Sequence, residues 1–176
     1  GARPLADAGA FIRSPADGAV SQVGTIRGGR IFQAKGRDFT AAELLGHGSE
    51  VAARFEGGQF ITIYLSPKDY HRVHMPAAGV LQSTAYIPGD LFSVNAQTAE
   101  GVDRLFARNE RLACLFGGAD GAFASVMVGA RLSMMMVETA RLTRKSFTGV
   151  QVAPALLEYQ MPPATLPTHM RVGTVG

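Results

Sequence analysis

The chain has 176 residues, of which 47% are apolar and 18% charged; 17 Lys and Arg stand against 14 Asp and Glu, a formal charge of +3. A chain of this length and apolar content buries a real core in one domain, with or without a tail, which excludes wholesale disorder. A surplus of three charges with no Lys/Arg block argues against a dedicated nucleic-acid binder and suits a surface near anionic lipid.

The single cysteine, Cys114, excludes an intrachain disulfide and a multi-cysteine zinc site. It lies in the apolar run Leu112–Phe116 and reads as a buried thiol. No stretch reaches the ~18 apolar residues of a spanning helix. The nearest, Phe123 to Val137, is broken by Arg131 and Ser133. The start Gly1-Ala2-Arg3-Pro4 is neither a signal peptide nor an initiator methionine, which reads as a processed, trimmed or fragmentary chain.

Along the chain, glycine recurs every 8 to 12 residues over long tracts, with short apolar runs between. Ser14-Pro15-Ala16-Asp17-Gly18 comes first, and Asp17-Gly18 is a hairpin-turn signal. Strands are expected at Ala19–Val23 and Arg30–Gln33. Thr40-Ala41-Ala42-Glu43 is a capping box, Leu44-Leu45 supply apolar contacts, and Gly46 stops the helix. A strand follows at Phe60–Leu65. Ser66-Pro67-Lys68-Asp69 has the residues of a second helix start, and Pro76 limits that helix to about two turns. Further strands are expected at Gly79–Ala85, Arg111–Phe116 and Phe123–Val128, with turns at Pro88-Gly89-Asp90 and Asp120-Gly121. After residue 140 the rhythm is lost: Arg141, Arg144 and Lys145 cluster, then Pro154, Pro162, Pro163 and Pro167 follow. The expected fold is α+β and mainly β, with antiparallel sheets in a compact barrel or sandwich and a few short helices. Residues 1–140 form the β-rich domain and 141–176 an irregular C-terminal segment of it.

Chemistry concentrates at Tyr70-His71-Arg72-Val73-His74. On the expected helix His71 and His74 share a face, which suits a proton-transfer pair near neutral pH. Two other readings stay open: capping or surface histidines, and metal ligands completed by His47 and His169. Asp17 before Gly18 is good turn chemistry, or the acid that orients a histidine. There is no Gly-x-Ser-x-Gly elbow and no phosphate-cradling Gly-rich loop. Met134-Met135-Met136 reads as core or interface packing.

These residues resemble a family. Tyr64-Leu65-Ser66-Pro67-Lys68-Asp69-Tyr70-His71-Arg72-Val73-His74-Met75-Pro76 is similar to the signature of phosphatidylserine decarboxylases. Ser14–Gly18 precedes it, and Tyr86–Asn95, Leu105–Arg111 and Val128-Gly129-Ala130 follow in family order. The likeness covers residues 11 to 140. It implies a self-cleaving proenzyme and a carboxy-lyase. In the family an Asp–His pair activates a serine near the C-terminus, the backbone breaks through an ester, and the serine becomes a pyruvoyl group on a short chain. The matching aspartate is Asp17 and the matching relay histidine is His74. His71 matches the histidine that handles protons in decarboxylation, and Tyr64 and Ser93 lie in motifs that line the same pocket. The resemblance further implies phosphatidylserine in a membrane as substrate, the small pyruvoyl-bearing chain as partner, a homo-oligomer, and no nucleic acid. The implied location is peripheral, on the cytoplasmic face of the inner membrane.

The likeness fades after Val137-Glu138-Thr139. Aligning Arg171-Val172-Gly173 with the family's Arg-Leu-Gly places Thr174 where the processing serine stands. Three readings of this end stay open: a large-subunit-like fragment, a diverged and inactive domain that still binds a lipid headgroup, or an atypical threonine processing site.

Overall fold

The computed structural model describes residues 12–46, 48–119 and 121–130, together with the backbone of 136–141. Its strands are β1 (Ala19–Thr25), β2 (Arg30–Ala34), β3 (Arg37–Thr40), β4 (Gln59–Tyr64), β5 (Val80–Ile87), β6 (Arg111–Gly118), β7 (Gly121–Val128) and β8 (Met136–Arg141). Its helices are α1 (Ala41–Leu45), α2 (Ser49–Ala53), α3 (Ala96–Gly101) and α4 (Leu105–Arg108). Each apolar run expected to be a strand is one. Strand β3 escapes a sequence reading because Arg-Asp-Phe-Thr offers one buried residue, Phe39.

Among the described residues six strands form one antiparallel sheet in the order β1-β4-β8-β7-β6-β5, and β2 pairs with β3 in a separate hairpin. The architecture is mainly β with short helices, as expected, but among the described residues the sheet does not close into a barrel. Among the described residues β1 and β5 are its two edges. After β1 the chain turns into the β2–β3 hairpin, which packs on the sheet and does not extend it.

Both faces of the central strands are covered, which is why β4, β6 and β7 are buried along most of their length. Side chains alternate across a strand. On β4, β6 and β7, Phe60, Ala113, Leu115, Ala124, Val126 and Val128 join the main core with Ile31, Phe39, Leu44, Leu45 and Phe106. Phe39 and Phe106 meet edge to face, their ring centres 5.8 Å apart. Each such ring, fully buried, contributes roughly 1.5–3 kcal/mol. The intervening residues face the other way: Ile61 and Ile63 on β4, Leu112 and Cys114 on β6, Met127 on β7.

A strap covers that second face. β4 and β5 run in the same direction with β8, β7 and β6 between them, so residues 65–79 must cross the sheet. Val73 packs against Ile61, Ile63 and Leu65 on one side and against Leu112, Cys114 and Met127 on the other.

Helix α1 begins as its sequence dictates. The Thr40 hydroxyl accepts from the Glu43 backbone N–H at 3.1 Å, and the Glu43 carboxylate accepts from the Thr40 N–H at 2.8 Å. Gly46 ends it in the left-handed conformation. The second expected helix is absent. Residues 66–69 make a single turn and 70–75 are irregular. The Ser66–Asp69 side-chain bonds close that turn. The residues beyond are held by the sheet face and by Pro15, so tertiary contacts displace a local helix signal. Asp17-Gly18 is also not a hairpin, because the segment before it pairs with the strap and not with β1.

Candidate active site

One cross-sheet row organises the end of the sheet where the candidate residues lie. Ala19 pairs with Tyr64, Tyr64 with Met136, Met136 with Val128, Val128 with Arg111, and Arg111 with Ile87. Each segment singled out in the sequence enters or leaves the sheet at this row: 14–18 before Ala19, 65–76 after Tyr64, 129–130 after Val128, 109–110 before Arg111, and 88–95 after Ile87.

The first two segments are joined. Arg13 N–H donates to the Pro76 carbonyl at 3.0 Å and His74 N–H to the Pro15 carbonyl at 2.7 Å, so the two stretches run antiparallel. The Ser14 hydroxyl donates to the Ala16 carbonyl at 2.8 Å and shapes the bend ahead of Asp17. Gly18 follows where only glycine fits: a Cβ there would stand 2.4 Å from the Tyr64 carbonyl oxygen. The bend bearing Asp17 therefore lies against the end of β4 that carries Tyr64.

His71 and His74 are set by different devices. The Ser66 backbone N–H and hydroxyl each donate to the Asp69 carboxylate at 2.8 Å. The Ser66 hydroxyl, followed by its N–H, holds this carboxyl below its ordinary pKa. The Asp69 backbone carbonyl lies 2.7 Å from His71 Nδ1. A carbonyl only accepts, so Nδ1 carries the proton, and Nε2 bears the basic lone pair of the neutral ring. The His74 ring stacks on Tyr70, with centres 5.9 Å apart and planes 14° from parallel, and its Nε2 is buried.

The other three segments form a second knot. Gly89 runs so close to residues 108–110 that a Cβ would meet the Arg108 carbonyl oxygen at 2.2 Å. Asp90 N–H donates to the Arg108 carbonyl, Glu110 N–H to the Asp90 carbonyl, and Gly129 N–H to the Glu110 carbonyl. Arg111, buried, donates to the carbonyls of Glu43, Leu44 and Asn109, which satisfies the end of α1. Ser93 accepts from Asn95 Nδ2 at 3.1 Å, while Asn95 Oδ1 caps α3. Asn109, assigned no role from sequence, is fully buried within this knot. A polar residue between a short apolar helix and a strand was the available signal.

Asp17, Tyr64, His71 and His74 thus belong to the first knot and Ser93 to the second, with the first residue of β8 between them. Tyr64 and the neighbours of Ser93, Phe92 and Val94, adjoin the main core, whereas the imidazole strap lies over the opposite face. Thr174, His169 and His47 lie outside the described residues. Among the described residues no group of three or more His, Cys, Asp or Glu is placed to hold a metal ion.

Comparison with known proteins bears on what this end of the sheet is for. A family profile described as phosphatidylserine decarboxylase matches residues 1–154. The chain belongs to the phosphatidylserine decarboxylase family. It is 60% identical over 139 residues to the phosphatidylserine decarboxylase proenzyme of Ectopseudomonas mendocina (strain ymp), covering 79% of this chain and 48% of that protein. It is 62% identical over 132 residues to the proenzyme of the same name from Pseudomonas putida (strain F1), covering 75% and 46%. That of Pseudomonas fluorescens (strain Pf0-1) is 61% identical over 132 residues, with the same coverage. The chain spans about half the length of the curated relatives it matches. Within the phosphatidylserine decarboxylase match lie both knots, the whole strap and the cross-sheet row.

Proposed function

We propose that this domain supplies the proton-handling side of a phosphatidylserine decarboxylase. The reading is pyruvoyl-dependent removal of the carboxyl group from the serine headgroup of phosphatidylserine, giving phosphatidylethanolamine, after self-cleavage of a proenzyme. The supporting observation is the junction of the His74 and Pro15 backbones, which sets the relay histidine's segment beside the bend of Asp17 at the row where every family motif meets.

The side chains suit a ketoacyl group, whose chemistry needs groups that take up and return protons near neutral pH. When present, that group would supply an electrophilic carbonyl for the substrate amine and an electron sink for the bond to the departing carboxyl. In this reading His74, oriented by Asp17, removes the proton from the attacking hydroxyl during self-cleavage. His71, its Nδ1–H held by the Asp69 carbonyl, presents Nε2 and delivers the proton that replaces CO2 on carbon. Tyr64 and Ser93 orient the headgroup from β4 and from the loop after β5. Thr174 aligns with the processing serine, but cleavage there would leave a 2-oxobutyryl group, so a pyruvoyl group requires a serine at that place in the proenzyme; the small chain that carries the group is the partner.

Peripheral attachment at the cytoplasmic face of the inner membrane is part of the same proposal. Among the described residues no helix is long and apolar enough to cross a membrane. The positive surplus favours an anionic leaflet. Assembly as a homo-oligomer is likewise proposed.

Intact-mass analysis of the full-length product, paired with decarboxylation of phosphatidylserine vesicles, tests the reading. Two chains, a ketoacyl end group and CO2 release are expected. A single uncleaved chain, inert toward the vesicles, would overturn the enzyme reading in favour of a headgroup-binding domain.

A further inference from the structure

We infer that Asn109 is a positioning residue that holds the Ser93 loop in register with the end of β7. Its side-chain amide engages two loops at once. Nδ2 donates to the Phe92 carbonyl at 2.7 Å and to the Gly129 carbonyl at 2.9 Å, and Oδ1 accepts from the Phe92 N–H at 3.1 Å. Phe92, next to Ser93, is thus gripped at both its N–H and its carbonyl by one amide. Gly129 follows Val128, one place along the cross-sheet row from Met136 and two from Tyr64.

The backbone bonds already close the roots of these loops, through Asp90, Arg108, Glu110 and Gly129. The Asn109 side chain reaches past those roots to the residue adjoining Ser93. This grip needs a donor and an acceptor on one short planar group, which only asparagine supplies at this length. An aspartate of the same shape would set a carboxylate oxygen against two carbonyl oxygens. The consequence rests on the decarboxylase reading: Asn109 sets how far the headgroup-orienting loop stands from the imidazoles without itself touching substrate.

The experiment uses the full chain and four forms: unsubstituted, Asn109→Asp, Ser93→Ala and the double variant. Hydrogen exchange reads the loop, and calorimetric binding of glycerophosphoserine reads the site. Losing the amide's donors is expected to speed exchange over residues 88–95 by about tenfold and to weaken binding by about tenfold, with thermal unfolding still cooperative. Ser93→Ala is expected to add nothing to the binding loss in the Asn109→Asp background, because a loop released from Asn109 no longer presents the Ser93 hydroxyl to the headgroup. Additive losses, or faster exchange with unchanged binding, would overturn the inference. Asn109→Ser, which keeps one donor, replaces the aspartate variant should that fail to fold. If the unsubstituted chain does not bind glycerophosphoserine, the decarboxylase reading falls. Loop exchange then decides alone, and equal rates in the two forms reject the positioning role.

Discussion

The backbone N–H of His74 donates to the carbonyl of Pro15 at 2.7 Å. This bond joins residues nearly sixty positions apart and sets the imidazole strap beside the bend of Asp17. In a processing-competent proenzyme, His74→Ala is expected to abolish self-cleavage, read as one band on a gel where the parent gives two. Normal cleavage would remove His74 from the relay.

His71→Ala separates the two steps. Cleavage should proceed, and decarboxylation should fall by about 10²–10⁴-fold, the usual worth of a general acid. Nitrogen-15 spectra of the neutral ring should show the proton on Nδ1, because the Asp69 carbonyl faces that atom. A ring protonated on Nε2 would contradict the geometry.

Gly89 has no room for a side chain, with the Arg108 carbonyl oxygen 2.2 Å from where a Cβ would sit. Gly89→Ala must push the second knot apart and is expected to cost about 1–3 kcal/mol in urea unfolding. Gly28 is the control. Its φ of +57° lies in the left-handed region, but nothing stands within 4 Å of its Cβ position, so Gly28→Ala should cost only about 1–2 kcal/mol of backbone strain. It should leave the Gly89 knot untouched, and loop exchange that rises equally in both variants would argue against the knot.

Glu43 gives a pH dependence of known sign. The Thr40 N–H, then Arg104 and the Thr40 hydroxyl, hold its carboxyl below the ordinary value. A group with a depressed folded-state pKa stabilises the fold above its unfolded pKa, and that stability is lost as pH falls through the folded value. The melting temperature should therefore drop on acidification, and Glu43→Gln should flatten that part of the curve. Thr40→Ala, measured at neutral pH, should cost about 1 kcal/mol through the lost cap.

Cys114 is buried on the strap side of β6, and burial alone pushes its thiol up to about 11. A thiol-specific reagent at neutral pH should leave the native chain unlabelled and label it fully in denaturant. Rapid native labelling would mean that the strap does not cover this face.

Much of the fold was legible along the chain. The strand runs, the Thr40 capping box and the Gly46 stop are local signals, decided by side-chain period, backbone freedom and free amides within one turn. Family membership was legible too, because its motifs are short contiguous words. What the chain could not state was where those words meet. Ser66–Pro76 carries helix-start residues yet crosses the sheet as a strap, since Val73 gains two apolar clusters there and His74 gains Pro15. Among the described residues the sheet stays open, with β2 and β3 paired to each other and not added to either of its edges. The roles of Gly18, Gly89 and Asn109 exist only through partners from distant segments. Local chemistry determined the elements; close packing between residues far apart in the chain decided which end of the sheet gathers the histidines, the aspartate and the loops that would hold a headgroup.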